Sequence, residues 1–370
     1  MNGALYAKVY EDLRARIESG DLPVGAKLPA QNELAAEFAV SVITVKHALE
    51  LLQRAGYIER RPRLGSTVTS ARPSAGVRTP RGTLPTIGCI LTDFDDSFGT
   101  RVLHGLLDAS LGVANVVLSR TEGVQEREQQ LLAQYLELGV DGLILLPSSS
   151  DWVPPAILEL VRQQHPLIIL DRDLEGLPIS TVCSDNIASG RLAAEHLFDL
   201  GHRDIGLVMS AGRVSTLDDR HTGVLHAHAA RGYPFDAACE FRQVRSVIPH
   251  SDASIDDDVA ALKEFLTSHP HLTALVGGEY SVSLLLRRAC LELGLRVPDD
   301  VSIVSLDSPD NAYDDALQPF THVAQDENGM GRATLDGVMA QITERGKIVK
   351  AVLPTTLVVG ETTAPPRRRA

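Results

Sequence analysis

Eight short apolar runs recur along this chain: IGCILT, ANVVLSR, DGLILLP, PLIILD, STVCSD, DIGLVMS, TALVGG and VSIVSLD, with stretches of helical spacing set among them. A run of this length without alternation can be buried only if both of its faces are covered, and the intervening helices supply the cover. The pattern therefore predicts an α/β fold with parallel strands. In such sheets ligands bind outside the strand carboxyl ends. The polar residues that follow the runs become site candidates: Asp93, Asp171 with Arg172, Asp185 and Asp307.

Ahead of the first run the pattern is different. Leu5, Val9, Leu13 and Ile17 recur every four residues and stop at Ser19-Gly20, which predicts one amphipathic helix. QNELAAEFAV carries a second apolar stripe, Leu34, Ala35 and Phe38, ending near Ala39. Ser41 can cap a third helix, SVITVKHALELLQRAG, with Val45, Ala48, Leu49 and Leu52 inward and Gly56 as the stop. YIERRPRLGSTVTS then reads as two short strands around a Pro/Gly turn. Three helices and a hairpin in this order predict a winged helix-turn-helix.

Between the two patterns, residues 70–83 (SARPSAGVRTPRGT) lack apolar periodicity and read as a linker. The predicted organisation is a head over 1–69, a linker over 70–84, a body over 85–363 and a tail over 364–370. A chain of 370 residues is long enough for two or three cores. Charge follows the same division. Residues 1–84 hold 12 Lys and Arg against 8 Asp and Glu, a net +4, while the remainder holds 23 against 40, a net −17. A basic head on an acidic body approaches phosphates head first.

If Val45, Ala48 and Leu49 face the core, the groove-facing end of the third helix presents Ser41, Val42, Ile43, Thr44, Lys46 and His47. The hairpin adds Arg60, Arg61 and Arg63, guanidinium groups suited to phosphates or the minor groove. The expected partner is a double-stranded operator, pseudo-palindromic because a homodimer would present two heads.

The head, over roughly residues 4–69, resembles the GntR family of regulators. The stretches that carry the resemblance are YEDLRARIESGDLPVGAKLPAQNELAAEFAVSVITVKHALELLQRAGYIERR and GSTV. Two positions depart from the family pattern: Val42 stands where Arg is common, and Arg63 where the wing usually has Gly. The body resembles the LacI/GalR effector domain, through PTIGCILTDFDDSF, DGLILLPSS, PLIILDRD, DNIASGRLAAEHLFDLGHRDIGLVMS, LGLRVPDDVSIVSLDS, HVAQDENGMGR and LPTTLVVGETT. That resemblance implies a two-subdomain, periplasmic-binding-protein-like body, and a head and body joined as in arabinose-repressor-like proteins.

It also implies a small sugar-type effector, whose hydroxyls donate and accept together and so call for carboxylates and guanidinium groups. Asp93, Phe98, Asp171, Arg172, Arg220, Asp307 and Gln325 fall where the family pattern places ligand contacts. Arg220 comes from RHTG and Gln325 from HVAQDE. The family's Asn-Asp is here Gly278-Glu279, which makes Glu279 a substitute contact, and Glu327 takes another ligand-facing position. The resemblance thus implies a sugar-responsive regulator, released from DNA by its effector, with an activator or co-repressor-dependent regulator as the alternative.

Other chemistries are weaker. Asp93-Phe94-Asp95-Asp96-Ser97 superficially resembles the nucleophile loop of haloacid-dehalogenase-type phosphatases, which needs a second carboxylate cluster for Mg²⁺. Asp307 and Asp310 could only be forced into that part. No GxSxG, P-loop or GxGxxG occurs, so no catalytic residue, metal site or cofactor is expected. His226 and His228 read as a helical surface pair. Cys89, Cys183, Cys239 and Cys290 are scattered without a CxxC pair, as buried free thiols would be. A charged amino terminus and the lack of a spanning apolar run predict a cytosolic protein without a membrane partner.

Overall fold

The computed structural model describes residues 3–54, 56–61, 65–70, 84–93, 97–174, 176–307 and 319–367. These fall into two units, Met1–Leu84 and Pro85–Ala370. In the first, α1 (Gly3–Ser19), α2 (Gln31–Glu37) and α3 (Val42–Arg54) precede the antiparallel pair β1 (Ile58–Arg61) and β2 (Gly65–Val68). Val9, Leu13 and Ile17 form the buried stripe of α1 and pack against Leu34 and Ala35 of α2 and Val45, Ala48, Leu49 and Leu52 of α3. Ser41 Oγ accepts from the Thr44 N–H at 3.2 Å, which starts α3. Lys27 forms an isolated antiparallel bridge with Thr67 of β2, an addition that the sequence pattern did not suggest.

The second unit starts with β3 (Thr86–Leu91), α4 (Ser97–Ser110), β4 (Asn115–Arg120), α5 (Gln125–Leu138), β5 (Gly142–Leu145), α6 (Pro155–Arg162), β6 (Leu167–Leu170) and β7 (Ser180–Ser184). It continues through α7 (Asn186–Asp199), β8 (Ile205–Ser210), α8 (Ser215–Arg231), β9 (Glu240–Val244), α9 (Ile255–Ser268), β10 (Ala274–Gly277), α10 (Tyr280–Glu292), β11 (Ser302–Leu306) and β12 (Thr321–Ala324). Last come α11 (Glu327–Thr343), β13 (Lys350–Leu353) and β14 (Thr356–Val358).

Two six-stranded sheets result, ordered β13-β7-β6-β5-β3-β4 and β14-β12-β11-β10-β8-β9. All pairings within them are parallel except β12 with β14. Each sheet is sandwiched between two buried apolar layers. The chain passes between the sheets three times, after β7, β12 and β13, because α7 packs on the second sheet and α11 returns to the first. The body is therefore two subdomains, each discontinuous in sequence.

Close helix pairs hold the cleft-facing ends of these layers. At the α7–α8 crossing, a Cβ on Gly190 would stand 1.9 Å from the Arg220 carbonyl oxygen, and one on Gly223 2.0 Å from that of Ile187. Only glycine at both positions lets the two backbones touch. The carboxyl-terminal segment is part of the second subdomain: Ala364 accepts from Ser302 Oγ at 3.0 Å, and Arg367 pairs with Asp299 and Asp300, each at 3.2 Å. These contacts place the residues through Arg367 on the body.

Candidate functional site

At the carboxyl ends of the two sheets, β6 is followed by Asp171 and β11 by Asp307, both with left-handed backbone (φ +57° and +72°). Such a conformation is costly for a residue with a Cβ and concentrates at functional sites. Asp171 is buried, and Arg172 Nη1 donates to its carboxylate and, at 2.9 Å, to its carbonyl oxygen. The same nitrogen lies 3.4 Å from Thr216 Oγ1 of the other subdomain. Arg220, from the closely packed α8, is buried and spends its donors on Asn186 Oδ1 (3.0 Å), the Gly278 carbonyl (2.7 Å) and Asp307 Oδ2 (2.8 Å). Gln325 Nε2 donates to Asp307 Oδ1 at 2.6 Å.

Three buried atoms of this cluster have no hydrogen-bond partner: Asp171 Oδ1, Arg172 Nε and Gln325 Oε1. An unsatisfied buried polar group costs roughly 1–3 kcal/mol, and three of them meet in this cluster. Two are acceptors and one is a donor. Burial pushes the Asp171 carboxyl above the ordinary carboxylate range, against the opposing pull of Arg172 and Arg220. Burial works against the charge of Arg220, but Asp307 and Asp171 outweigh it and raise its pKa.

Further contacts tie the two carboxyl-end rims together. Asp173 N donates to Ser215 Oγ (2.9 Å), Ser215 N to Ser150 Oγ (2.8 Å), and Arg213 pairs with Asp151 at 3.2 Å. At the far rim His250 Nε2 stands 3.5 Å from Glu122 Oε2.

Asp171, Arg172, Arg220, Asp307 and Gln325 are thus brought together, and the other expected residues have partners of their own. Asp93 lies 3.3 Å from Arg120, and Phe98 packs on the core of the first subdomain. Glu279 accepts from the Ser210 N–H at 3.2 Å. Glu327 is buried against Arg101 at 2.9 Å, a pairing within the first subdomain that joins α11 to α4. Asp185 caps α7 through the Ala188 N–H at 2.8 Å. Asn186 and Thr216 were missed. Asn186 lies one residue beyond the polar position that the strand-end rule selects, so extending the rule by one step would have found it. His228 is buried between Phe198 and Phe235 rather than on the surface; Phe235 is seven residues away, but Phe198 is thirty residues away and only the tertiary fold brings it to the ring.

In the head, Ser41, Val42 (41% exposed), Lys46 and His47 are exposed on one face of α3, and Thr44 is half-buried with its hydroxyl 2.8 Å from that of Ser41. His47 stacks on Tyr6 of α1, ring centroids 4.5 Å apart. Arg63 and the side chains of Ile43, Arg60 and Arg61 lie outside the described residues. So do Asp95, Asp96 and Asp310 of the phosphatase-like reading. No group of three or more metal-binding side chains occurs among the described residues, and no described helix is long and apolar enough to cross a membrane.

Comparison with known proteins agrees with this geometry. Residues 5–68 match the gntR family of bacterial regulatory proteins, and residues 194–363 match a periplasmic binding protein-like domain. The arabinose metabolism transcriptional repressor of Geobacillus stearothermophilus is 26% identical over 371 residues, covering 97% of each chain. The HTH-type transcriptional regulator CelR of Thermobifida fusca is 31% identical over 239 residues, covering 63% of this chain and 67% of that one. Among solved structures, a LacI family transcriptional regulator from Mycobacterium smegmatis superposes with a TM-score of 0.64 at 25% identity, covering 76% of this chain and 100% of that one.

Proposed function

The chain belongs to the helix-turn-helix transcriptional regulators that join a gntR-family head to a periplasmic-binding-protein-like body, and on that premise we propose that it is a repressor released from its operator by a sugar-type effector. It is a sequence-specific DNA-binding regulator, not an enzyme. The effector occupies the cluster of Asp171, Arg172, Arg220, Asp307 and Gln325, with Asp93, Phe98, Glu279 and Glu327 around it. The observation that carries this reading is the set of three unpartnered polar atoms, contributed by both subdomains, at the strand carboxyl ends. A molecule that satisfies them bridges the subdomains and favours the closed cleft by its differential affinity.

Residues 1–69 bind DNA through Ser41, Val42, Ile43, Thr44, Lys46 and His47 on α3 and Arg60, Arg61 and Arg63 on the hairpin. Residues 70–84 link, and the body binds effector and pairs two copies into a homodimer on a pseudo-palindrome. Leu107 on α4 and Leu111 just past its end, both exposed (44% and 78%), suit such pairing. Arabinose and ribose, after which two relatives are named, are the first sugars to try. A gel-shift assay with and without sugar tests the proposal: wild type is expected to leave the operator, and Arg172→Ala to stay bound. Release that persists in Arg172→Ala, Asp307→Ala places the effector elsewhere.

A further inference from the structure

At the amino end of the second sheet, a cavity of about 610 Å³ opens between the last turn of α9, the chain after α10 and the carboxyl-terminal segment. Its volume is that of a small-molecule site. Leu266, Leu272, Leu293 and Leu295 line it, with three prolines and Val301. Its charged groups are paired. Asp299 meets Arg296 and Arg367, each at 3.2 Å, and Asp300 meets the same two guanidinium groups at 2.8 and 3.2 Å. The side-chain donors of the lining are committed as well. His202 Nε2 donates to the Ala364 carbonyl at 2.9 Å, so in the neutral ring Nδ1 accepts from Thr273 Oγ1 at 2.9 Å. Thr267 Oγ1 donates to the Lys263 carbonyl at 2.7 Å, and His269 Nδ1 to that of Phe265 at 2.8 Å. Acceptors remain: the Thr267 oxygen and, in the neutral ring, His269 Nε2.

We propose that this cavity binds a second small molecule, uncharged and aromatic, that carries one N–H or O–H group. An anion or a polyol calls for side-chain donors, and the lining has none to give. A cation would have to take Asp299 or Asp300 from its guanidinium partners. A flat ring suits the leucine and proline walls and extends the ring series of His269, whose centroid lies 4.7 Å from that of Phe265 and 5.9 Å from that of His271. The donor of the ligand meets His269 Nε2. Residues 368–370, Arg-Arg-Ala, follow Arg367 in sequence, but their two charges are unsuited to apolar walls. β10 and β11 run from this cavity to Gly278 and Asp307, both partners of Arg220, so the ligand and the effector take opposite ends of the same strands.

Calorimetry and ligand-observed NMR of the full-length protein test this with indole, N-methylindole and indole-3-carboxylate as probes. Indole is expected to bind with a dissociation constant on the order of 0.1–1 mM. N-methylindole, which lacks the donor, and the carboxylate should each bind about tenfold or more weakly. His269→Phe keeps a ring beside Phe265 and removes the acceptor, which should bring indole and N-methylindole within about twofold of each other. Thr267→Trp and Leu293→Trp, both at exposed positions of the lining, should fill the cavity and abolish indole binding while operator binding stays as in wild type. Absence of saturable indole binding, or indole binding undiminished in both tryptophan variants, overturns the proposal. Indole binding that appears only when residues 368–370 are deleted assigns the cavity to the chain's own end and also overturns it. So does failure of indole to bind together with a change of oligomeric mass in the tryptophan variants, which assigns the cavity to a second copy.

Discussion

Asp171 is a carboxyl group whose burial favours the neutral form while its expected task, accepting from a hydroxyl, requires the ion. Arg172, Arg220 and Asp307 surround it, and the two guanidinium groups do not fully offset burial. The sign of the pH effect follows. Effector affinity is full where Asp171 is ionised and falls as pH drops through its raised pKa, so the dissociation constant should increase toward acid at pH values where an ordinary aspartate would still be charged. Calorimetric titration over a pH series checks this. Asp171→Asn should bind about tenfold or more weakly, through loss of a charge-assisted bond, and should flatten the profile. An unaltered profile in Asp171→Asn would assign the titration to another group.

Helix packing decides how deeply Arg220 enters the cleft. Gly223→Ala places a Cβ where the Ile187 carbonyl stands, and neither backbone can yield cheaply. The expected loss is about 1–3 kcal/mol, read as a lower denaturation midpoint, with weaker effector binding because α8 carries Arg220. In the wing, Arg61→Ala with Arg63→Ala should weaken DNA binding at every sequence and reduce the salt slope by roughly one for each phosphate that is no longer neutralised, leaving effector binding intact. Gel shifts at several salt concentrations measure it.

All eight apolar runs became strands; seven are buried, as continuous apolar sequence requires, and β4 is a part-exposed edge strand. The strands left unread, β9, β12, β13 and β14, are short and polar or half-exposed, and β9, β13 and β14 lie at sheet edges. The strand-end rule found the two acids with left-handed backbone, Asp171 and Asp307. Arg220 and Gln325 needed the family resemblance. Asn186 stands one residue past the position that the rule selects, and its bond to Arg220 is a tertiary contact.

Among the described residues, four histidines are held below their ordinary pKa by burial: His165, down to about 4, and His196, His202 and His228. In the unfolded chain each takes up a proton near pH 6.5. The folded state therefore holds its full stability above that pH and loses it as pH falls toward the folded values, at about 1.4 kcal/mol per pH unit for each proton taken up only on unfolding. Melting temperature should fall between pH 6.5 and 5, and His228→Phe, which fills the cage of Phe198 and Phe235, should reduce the slope.

The same scale governs the switch. Moving a dimer from mostly DNA-bound to mostly released requires an effector that prefers one cleft geometry by about 5 kcal/mol. Three partners supplied to Asp171 Oδ1, Arg172 Nε and Gln325 Oε1, at roughly 1.5–3 kcal/mol for each bond to a charged group and about 1 for the amide, total roughly 4–7 kcal/mol, so little is to spare if one is lost. Removing one should therefore uncouple the switch before it abolishes binding. Gln325→Ala is expected to retain measurable sugar affinity, to bind operator as wild type does, and to need far more sugar for release. Paired calorimetry and gel-shift titrations separate the two effects. Equal losses in sugar affinity and in release would mean that Gln325 contributes equally to open and closed states and plays no part in choosing between them.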